Sequence, residues 1–165
     1  MGFERKECNR LMRTMLLSFK ADVYERVVAG EKIYEHRKVF PDDPIEAYLY
    51  VSAPKKVITG IMHLSHKVEI ESWKALYSYD KAALARIEEY LKHHKYAMQI
   101  DDFQPTTEIS LSKLRIDLPS FTVPQMYYFI DGSDLHSYLR SNLHKTGQRI
   151  IHKFDAVDSS QICKL

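Results

Sequence analysis

The sequence predicts an α+β protein whose strands form a small mixed β-barrel with flanking helices. About six short segments have the apolar or alternating pattern of strands, and a short helical pattern is inserted directly after the first of them. The length of 165 residues fits one domain with a small appendage. Each element of this prediction rests on a short stretch of sequence.

The amino-terminal segments predict a strand, a helix and a second strand. RTMLLSF has the apolar pattern of a strand, and KADVYERVVAG predicts a short helix that opens with Asp22 and stops at Gly30. We expect Val23, Val27 and Val28 to share the buried face of this helix. KIYEHRKVF predicts the second strand, and PDDP predicts the turn that follows it.

The middle of the chain predicts two strands and the main helical region. Apolar and polar residues alternate in IEAYLYVS, and VITGIMHLSHKVEI predicts a long strand in which Gly60 marks a bulge or a corner. SWKALYSYDKAALARIEEYLKHH predicts helix, with Asp80 as the N-cap of its second part. Leu84, Ile87 and Leu91 are expected to line one face there.

The last segments predict two more strands and two helical pieces. YAMQIDDF and VPQMYYFI have strand patterns, and between them SLSKLR predicts a helical turn capped by Ser110 or Ser112. GSDLHSYLRSNLHKTG predicts a terminal helix with Ser133 as its cap and Gly147 as its stop.

The end of the chain predicts a loosely held tail, which runs through AVDSSQICKL. We therefore divide the sequence into a domain over residues 1–131 and a carboxy-terminal helix and tail over residues 132–165. Cys8 and Cys163, near the two ends, are expected to be free thiols, with a terminal disulfide as the alternative.

Composition and charge narrow the function classes. The net charge of +2 is weaker than expected of a protein that binds nucleic acid through bulk charge alone, so any such binding must depend on a local basic pocket. The longest apolar run is too short to span a bilayer, and the start has no signal-peptide core. We expect a cytoplasmic protein with no membrane contact.

Neither a metal nor a cofactor is predicted. His63 and His66, like His93 and His94, lack Cys, Asp or Glu neighbours at a recognisable ligand spacing. No phosphate-binding loop or dinucleotide-binding fingerprint occurs among the 5 glycines.

The stretch GEKIYEHRK concentrates polar chemistry directly after Gly30. On an extended strand Glu35 and Arg37 point to the same side, where Arg37 offers a planar fork for phosphate or a guanine edge. Lys32 adds a point charge, and Glu35 can accept from an exocyclic amine or hold Arg37 in place. The alternative is an exposed ion pair that contributes little.

The order of these motifs resembles the ASCH domain family of the PUA-like superfold. The similarity covers roughly residues 14–130 and includes a strand that ends in Ser-x-Lys, a G-x-K-x-x-E-x-R stretch, and the segment YVSAPKKVITGIMHL. EISLSKLR and VPQMYYFI resemble the closing segments of that family. The residues that match the family motifs, and that we predict to bind a ligand, are Ser18, Lys20, Gly30, Lys32, Glu35 and Arg37.

The resemblance implies a PUA-like β-barrel with a cleft between barrel and helices. It also implies a partner, RNA or other nucleic acid, or a nucleotide-like small ligand, and the size would fit a bacterial member. Stacking platforms for bases are expected among the tyrosines, for which the candidates are Tyr34, Tyr48, Tyr50, Tyr127 and Tyr128.

Two other functions stay open. Some ASCH proteins deacetylate N4-acetylcytidine with a lysine, a threonine three residues later and a glutamate from a later strand. Lys32 matches the lysine and Glu69 is one candidate for the glutamate, but Glu35 occupies the threonine position and cannot replace a hydroxyl nucleophile. RNA cleavage by Lys32, Glu35 and Arg37 is a related possibility, and we expect a binding module rather than an enzyme.

The second open function is protein interaction through the terminal helix. Leu135, Tyr138, Leu139 and Leu143 recur there at helical spacing. The simpler interpretation of this stripe is that it packs onto the barrel of its own chain.

Overall fold

The structure is a computed structural model that describes residues 12–164. Its strands are β1 (Arg13–Phe19), β2 (Tyr34–Arg37), β3 (Ile45–Val51), β4 (Val57–Glu69), β5 (Tyr96–Gln104), β6 (Ile109–Ser110), β7 (Tyr127–Phe129) and β8 (Ile150–Ile151). Its helices are α1 (Ala21–Val28), α2 (Trp73–Leu76), α3 (Lys81–Leu91), α4 (Leu111–Asp117) and α5 (Asp134–Asn142). Short 3₁₀ turns occupy Ile70–Ser72 and Ser159–Gln161.

The strands form one mixed sheet that curls into a half-barrel. The strand order is β2-β5-β4-β3-β1-β7, while β6 pairs with β4 and β8 pairs with β5. β1 and β3 run parallel, whereas the other pairs are antiparallel. The predicted α+β fold with a PUA-like barrel and flanking helices is confirmed.

Gly60 forms the predicted irregularity of the long strand. The register between β3 and β4 shifts next to it, and Gly60 has a φ of +83°, which disfavours any side chain. A Cβ at this position would lie 2.5 Å from Cε2 of Phe103, so the ring packs directly on the glycine. The bulge lets the sheet curve around the barrel core.

Three apolar clusters hold the fold together. The barrel interior contains Leu17, Leu49 and Phe103 among others, a second cluster lies under α4 and α5, and a third lies under α3. β3 contributes to the first two, so its Tyr48 and Tyr50 are buried. The sheet is thus covered on both faces, which the alternating pattern of β3 did not predict.

Several predicted details are confirmed by hydrogen bonds. The side chains of Asp80, Ser110 and Ser133 cap α3, α4 and α5, and accept from backbone amides at 3.1, 3.2 and 3.1 Å. The apolar stripe of α5 packs on its own barrel, because Leu139 and Leu143 belong to a core cluster. In the described part of the chain, no helix is long and apolar enough to cross a membrane.

Other details differ from prediction. β2 is shorter than the predicted strand, and α5 ends at Asn142, before Gly147. On α1, Val28 is exposed and Tyr24 is buried instead, because the ring of Tyr24 reaches across to Phe103 in the barrel.

The expectation of a loose tail is wrong. Ile162 and Cys163 are buried in the cluster under α3, and Cys163 is a free thiol. The hydroxyl of Ser159 donates to Asp80 at 2.7 Å, and Arg86 donates to the Ser159 carbonyl at 2.7 Å. The residues after α5 therefore belong to the packed structure, while Cys8 lies outside the described residues.

Candidate functional site

A reversal of the chain after α1 brings the motif residues together. Gly30 has a φ of +74°, and the amides of Glu31 and Lys32 both donate to the Arg26 carbonyl at the end of α1. β2 then runs back past the end of β1 at the edge of the sheet. Gly30 therefore acts through its backbone conformation, because its position favours a residue without a side chain.

The motif residues line a cleft of about 190 Å³ between β1, α1, β2 and α3. The predicted residues among its walls are Ser18, Lys20, Lys32, Glu35 and Arg37. The cleft contains three basic side chains and one carboxylate, so its charge favours an anionic ligand.

Glu35 is the centre of a buried ion network. Arg37 donates from Nε to Oε1 of Glu35 at 2.8 Å and from Nη2 to the Ser18 carbonyl at 2.7 Å. Lys32 Nζ lies 3.8 Å from Oε2 of Glu35, and the side chains of Lys32 and Glu35 are only 5% and 6% exposed. The alternative of an exposed ion pair is therefore wrong.

His36 lines the same cleft and joins this network. Lys32 Nζ lies 3.5 Å from His36 Nδ1, and the His36 ring stacks on Tyr90 with centroids 4.7 Å apart. Burial lowers the pKa of His36 well below its usual value, and the charge of Lys32 lowers it further. His36 is thus neutral at neutral pH.

Burial also acts on Lys32. Its pKa is lowered by desolvation, which the nearby carboxylate of Glu35 offsets in part. A protonated Lys32 can only donate, and in that state its 3.5 Å contact with Nδ1 of His36 requires the imidazole proton to be on Nε2.

Two buried polar atoms at this site have no hydrogen-bond partner among the described residues. They are Oε2 of Glu35, an acceptor, and Nε2 of His36, a donor in the tautomer just described. A buried polar atom without a partner costs about 1–3 kcal/mol, so such atoms mark places where a ligand can supply the missing bond.

The structure does not bring Glu69 to this cleft. Glu69 is exposed at the far end of β4 and pairs with Tyr96, which on its other side pairs with Arg37. Two strand spacings, about 10 Å, therefore separate Glu69 from the motif strand. The proposed hydrolase arrangement of Lys32 with Glu69 is not formed.

Part of the cleft wall was not predicted from the motif. Phe19 and Val23 line it from β1 and α1, while Tyr90 and His94 line it from the end of α3. Nothing in the local sequence around Tyr90 and His94 links them to residues 30–37, because the contact depends on tertiary packing. Of the tyrosines proposed for base stacking, Tyr34, Tyr48 and Tyr50 are buried.

No group of three or more His, Cys, Asp or Glu residues in the range 12–164 is arranged to hold a metal ion. His63 instead lies between two carboxylates on the outer face of the sheet, away from the cleft. Glu46 and Asp102 flank it on the neighbouring strands.

Comparison with known proteins identifies the fold. The chain is similar to the crystal structure of an ASCH protein from Zymomonas mobilis, with a TM-score of 0.61 and 20% identity over 79% of this chain and 96% of that one. A tyrosine-to-phenylalanine mutant of that protein matches with a TM-score of 0.61, 19% identity and coverage of 79% and 99%. A serine-to-alanine mutant matches with a TM-score of 0.61, 18% identity and coverage of 81% and 97%.

The described domain thus has the ASCH fold, a PUA-like mixed barrel, as its motif order predicted. No protein-family model and no curated protein matches the sequence. At this level of identity the likeness shows the fold alone.

Proposed function

We propose that this protein binds single-stranded nucleic acid, RNA in particular. One nucleotide would bind in the cleft that is lined by Lys32, Glu35 and Arg37, which we call the Glu35 cleft. The observation that carries the proposal is Oε2 of Glu35, a buried acceptor without a hydrogen-bond partner in the described structure, inside a basic cleft. An exocyclic amine of a base would supply the missing donor.

The mouth of the cleft suits a phosphate group. Lys20 is the N-cap residue of α1, and its own side chain does not cap the amides of the first turn. Helix amides of this kind bind anions, and Lys20 and Arg37 add positive charge beside them. The acidic residue of that turn, Asp22, is exposed and does not line the cleft.

The size of the cleft favours one unpaired nucleotide. About 190 Å³ is less than the ~300–1,000 Å³ of pockets that enclose drug-sized ligands. A base inside a duplex could not reach Glu35, because its hydrogen-bonding edge is paired and its faces are stacked. The walls formed by Phe19 and Tyr90 offer apolar surface to the base.

Glu35 also predicts a base preference. A carboxylate accepts hydrogen bonds and cannot donate them, so cytosine and adenine with their exocyclic amines are favoured over uracil. In Glu35→Gln the amide can keep its oxygen toward Arg37 and turn its NH₂ toward the ligand. This substitution should therefore shift the preference toward uracil, which presents a carbonyl oxygen.

The test is fluorescence anisotropy with labelled oligocytidine, oligouridine, duplex RNA and duplex DNA over a salt series. We expect the wild type to prefer oligocytidine over oligouridine by about tenfold, which is the effect of one good base contact. Glu35→Gln should lose that preference or reverse it, while Lys145→Gln, an exposed change outside the cleft, should keep it. Equal binding of duplex and single strand, or no binding at low salt, would contradict the proposal.

A further inference from the structure

A second basic depression adjoins the cleft at the end of α3. It has a volume of about 540 Å³, and five of its seven lining residues are lysine or histidine. These five are Lys38, Lys92, His93, His94 and Lys95, and we refer to the depression as the 92–95 groove.

The fold brings two separate basic segments together there. β2 ends at Arg37 and is followed by Lys38, while residues 92–95 form the turn between α3 and β5. Because β2 pairs with β5, the two segments lie side by side, and the amide of Lys95 donates to the Arg37 carbonyl at 3.1 Å. The backbone of the turn is fixed by bonds from the amides of His93 and His94 to the Tyr90 carbonyl at 3.1 and 2.8 Å.

The groove is continuous with the Glu35 cleft. His94 lines both, and its ring lies 6.4 Å from the ring of His36 and 5.6 Å from that of Tyr90, measured between centroids. A chain that leaves the cleft past His94 would therefore enter the groove without crossing another element.

The charges of the groove are mostly uncompensated. Lys92 pairs with Glu89 at 2.7 Å, but Lys38 and Lys95 make no ion pair with any residue in the described part of the chain. Lys95 lies 5.3 Å from the ring centroid of Tyr96, a contact that leaves its charge available. These lysines are exposed, so packing does not account for their position.

We propose that the 92–95 groove binds the phosphates that adjoin the nucleotide held in the Glu35 cleft, so that the ligand is a polynucleotide strand and not a free nucleotide. The proposal rests on the proposed function of the cleft and adds a second contact region to it. It is based on the continuity through His94 and on the free charges of Lys38 and Lys95.

The experiment compares cytidine monophosphate with labelled oligocytidines of three and ten nucleotides. Binding is measured for the wild type, for the double variant Lys38→Gln/Lys95→Gln, and for a charge-matched control, Lys81→Gln/Lys145→Gln. Both control lysines are exposed and line neither the cleft nor the groove. Circular dichroism verifies that each variant is folded.

The expected result is a gain in affinity with length that the groove variant loses. Relative to the wild type and the control, the groove variant should bind the ten-nucleotide strand about tenfold more weakly. The slope of log K against log salt concentration should also be shallower by about 1.4, which corresponds to two phosphate contacts on a single strand. Its affinity for cytidine monophosphate should be unchanged, because that ligand occupies the cleft alone.

Other outcomes separate the two proposals. If cytidine monophosphate and the long strand bind equally well and the groove variant matches the wild type, this inference is overturned while the cleft proposal stands. If the groove variant binds phosphatidylserine vesicles more weakly but binds the strand normally, the inference is also overturned. If the wild type binds none of the tested ligands, the proposed function is overturned, and this inference with it.

Discussion

Two acid–base clusters on the same sheet differ in whether their hydrogen bonds are complete. In the cleft, Glu35 and His36 each keep one buried polar atom without a hydrogen-bond partner in the described chain. On the outer face, His63 uses both ring nitrogens, with Asp102 at 2.6 Å and Glu46 at 3.2 Å. Glu46, His63 and Asp102 stand directly opposite one another on β3, β4 and β5.

We interpret this difference as one between a cluster that stabilises the sheet and a cluster that is suited to bind a ligand. Glu46, His63 and Asp102 form what we call the His63 row, which has no unsatisfied ring nitrogen to offer a ligand. Arg149 lies 3.7 Å from Asp102 and supplies a second positive charge beside the two carboxylates, so the row resembles a cross-strand ion network. The cleft cluster is buried and only partly satisfied, which is costly unless a ligand completes it. This contrast, more than the residue types, is why we propose a binding function for the cleft at Glu35.

The largest expected effect is on the stability of the cleft cluster. Glu35→Ala would leave the charges of Lys32 and Arg37 without their carboxylate in a buried site, and we expect it to lower the free energy of unfolding by about 3–5 kcal/mol. Glu46→Ala in the half-exposed row should cost only about 1 kcal/mol or less.

Urea denaturation of both variants would measure this difference. Adding Lys32→Met to Glu35→Ala should restore part of the loss, because it removes one unpaired buried charge. A cost of under about 1 kcal/mol for Glu35→Ala would mean that the cleft network is no stronger than a surface pair.

A second effect should appear on the acidic side of neutrality. The pKa of His36 is lowered by burial, and Lys32, His94 and Arg37 lower it further, so native His36 stays neutral while the unfolded chain takes up a proton below pH 6.5. Stability should fall by up to about 1.4 kcal/mol per pH unit below that point for this one group. His94 has a pKa that burial also lowers, so it contributes in the same direction.

His36→Phe tests this effect, since the ring can still stack on Tyr90. In denaturation series from pH 7.5 to 5, the variant should lose less stability than the wild type. The exposed His93→Gln serves as the control and should follow the wild type. Parallel curves for His36→Phe and wild type would show that His36 is protonated in the native state.

The smallest effect is expected for the His63 row, and on the alkaline side. The hydrogen bond to Glu46 raises the pKa of His63 to about 9, and Asp102 raises it as well. The stability from protonated His63 is therefore fully present below pH 6.5 and lost as the pH rises through about 9. Solvent screening of this half-exposed group limits the loss to about 1–2 kcal/mol.

His63→Gln should remove this alkaline loss, which denaturation at pH 6.5 and pH 9.5 would measure. The two clusters would then have opposite pH dependences in one molecule. A His63 variant that loses as much stability as the wild type over this range would show that protonated His63 does not contribute to the stability of the native state.

Sequence patterns predicted the local features of this protein better than its long-range contacts. The caps of Asp80 and Ser133 and the placement of Glu35 and Arg37 on one side of a strand depend on residues a few positions apart, so spacing alone predicts them. The cleft wall formed by Tyr90 and the buried Ile162 depend on contacts between distant segments. No local pattern encodes those contacts.

The His63 row shows the same limit in the sheet. Its alignment with Glu46 and Asp102 requires the exact register of three strands, and both pairings between them contain shifts. In the sequence, only closeness in the chain links His63 with His66. In the structure His66 has a φ of +53° at an irregular point of β4 and contacts Ser65 instead.

The packing of Phe103 on Gly60 has a consequence for the evolution of this fold. Two positions on adjacent strands share a volume that only one of them can fill, and the backbone at position 60 itself disfavours a side chain. Among sequences that keep this barrel, position 60 should therefore remain glycine even where position 103 carries a smaller residue, because a smaller residue frees the space and leaves the backbone conformation unchanged. Position 103 can vary on its own, whereas position 60 cannot.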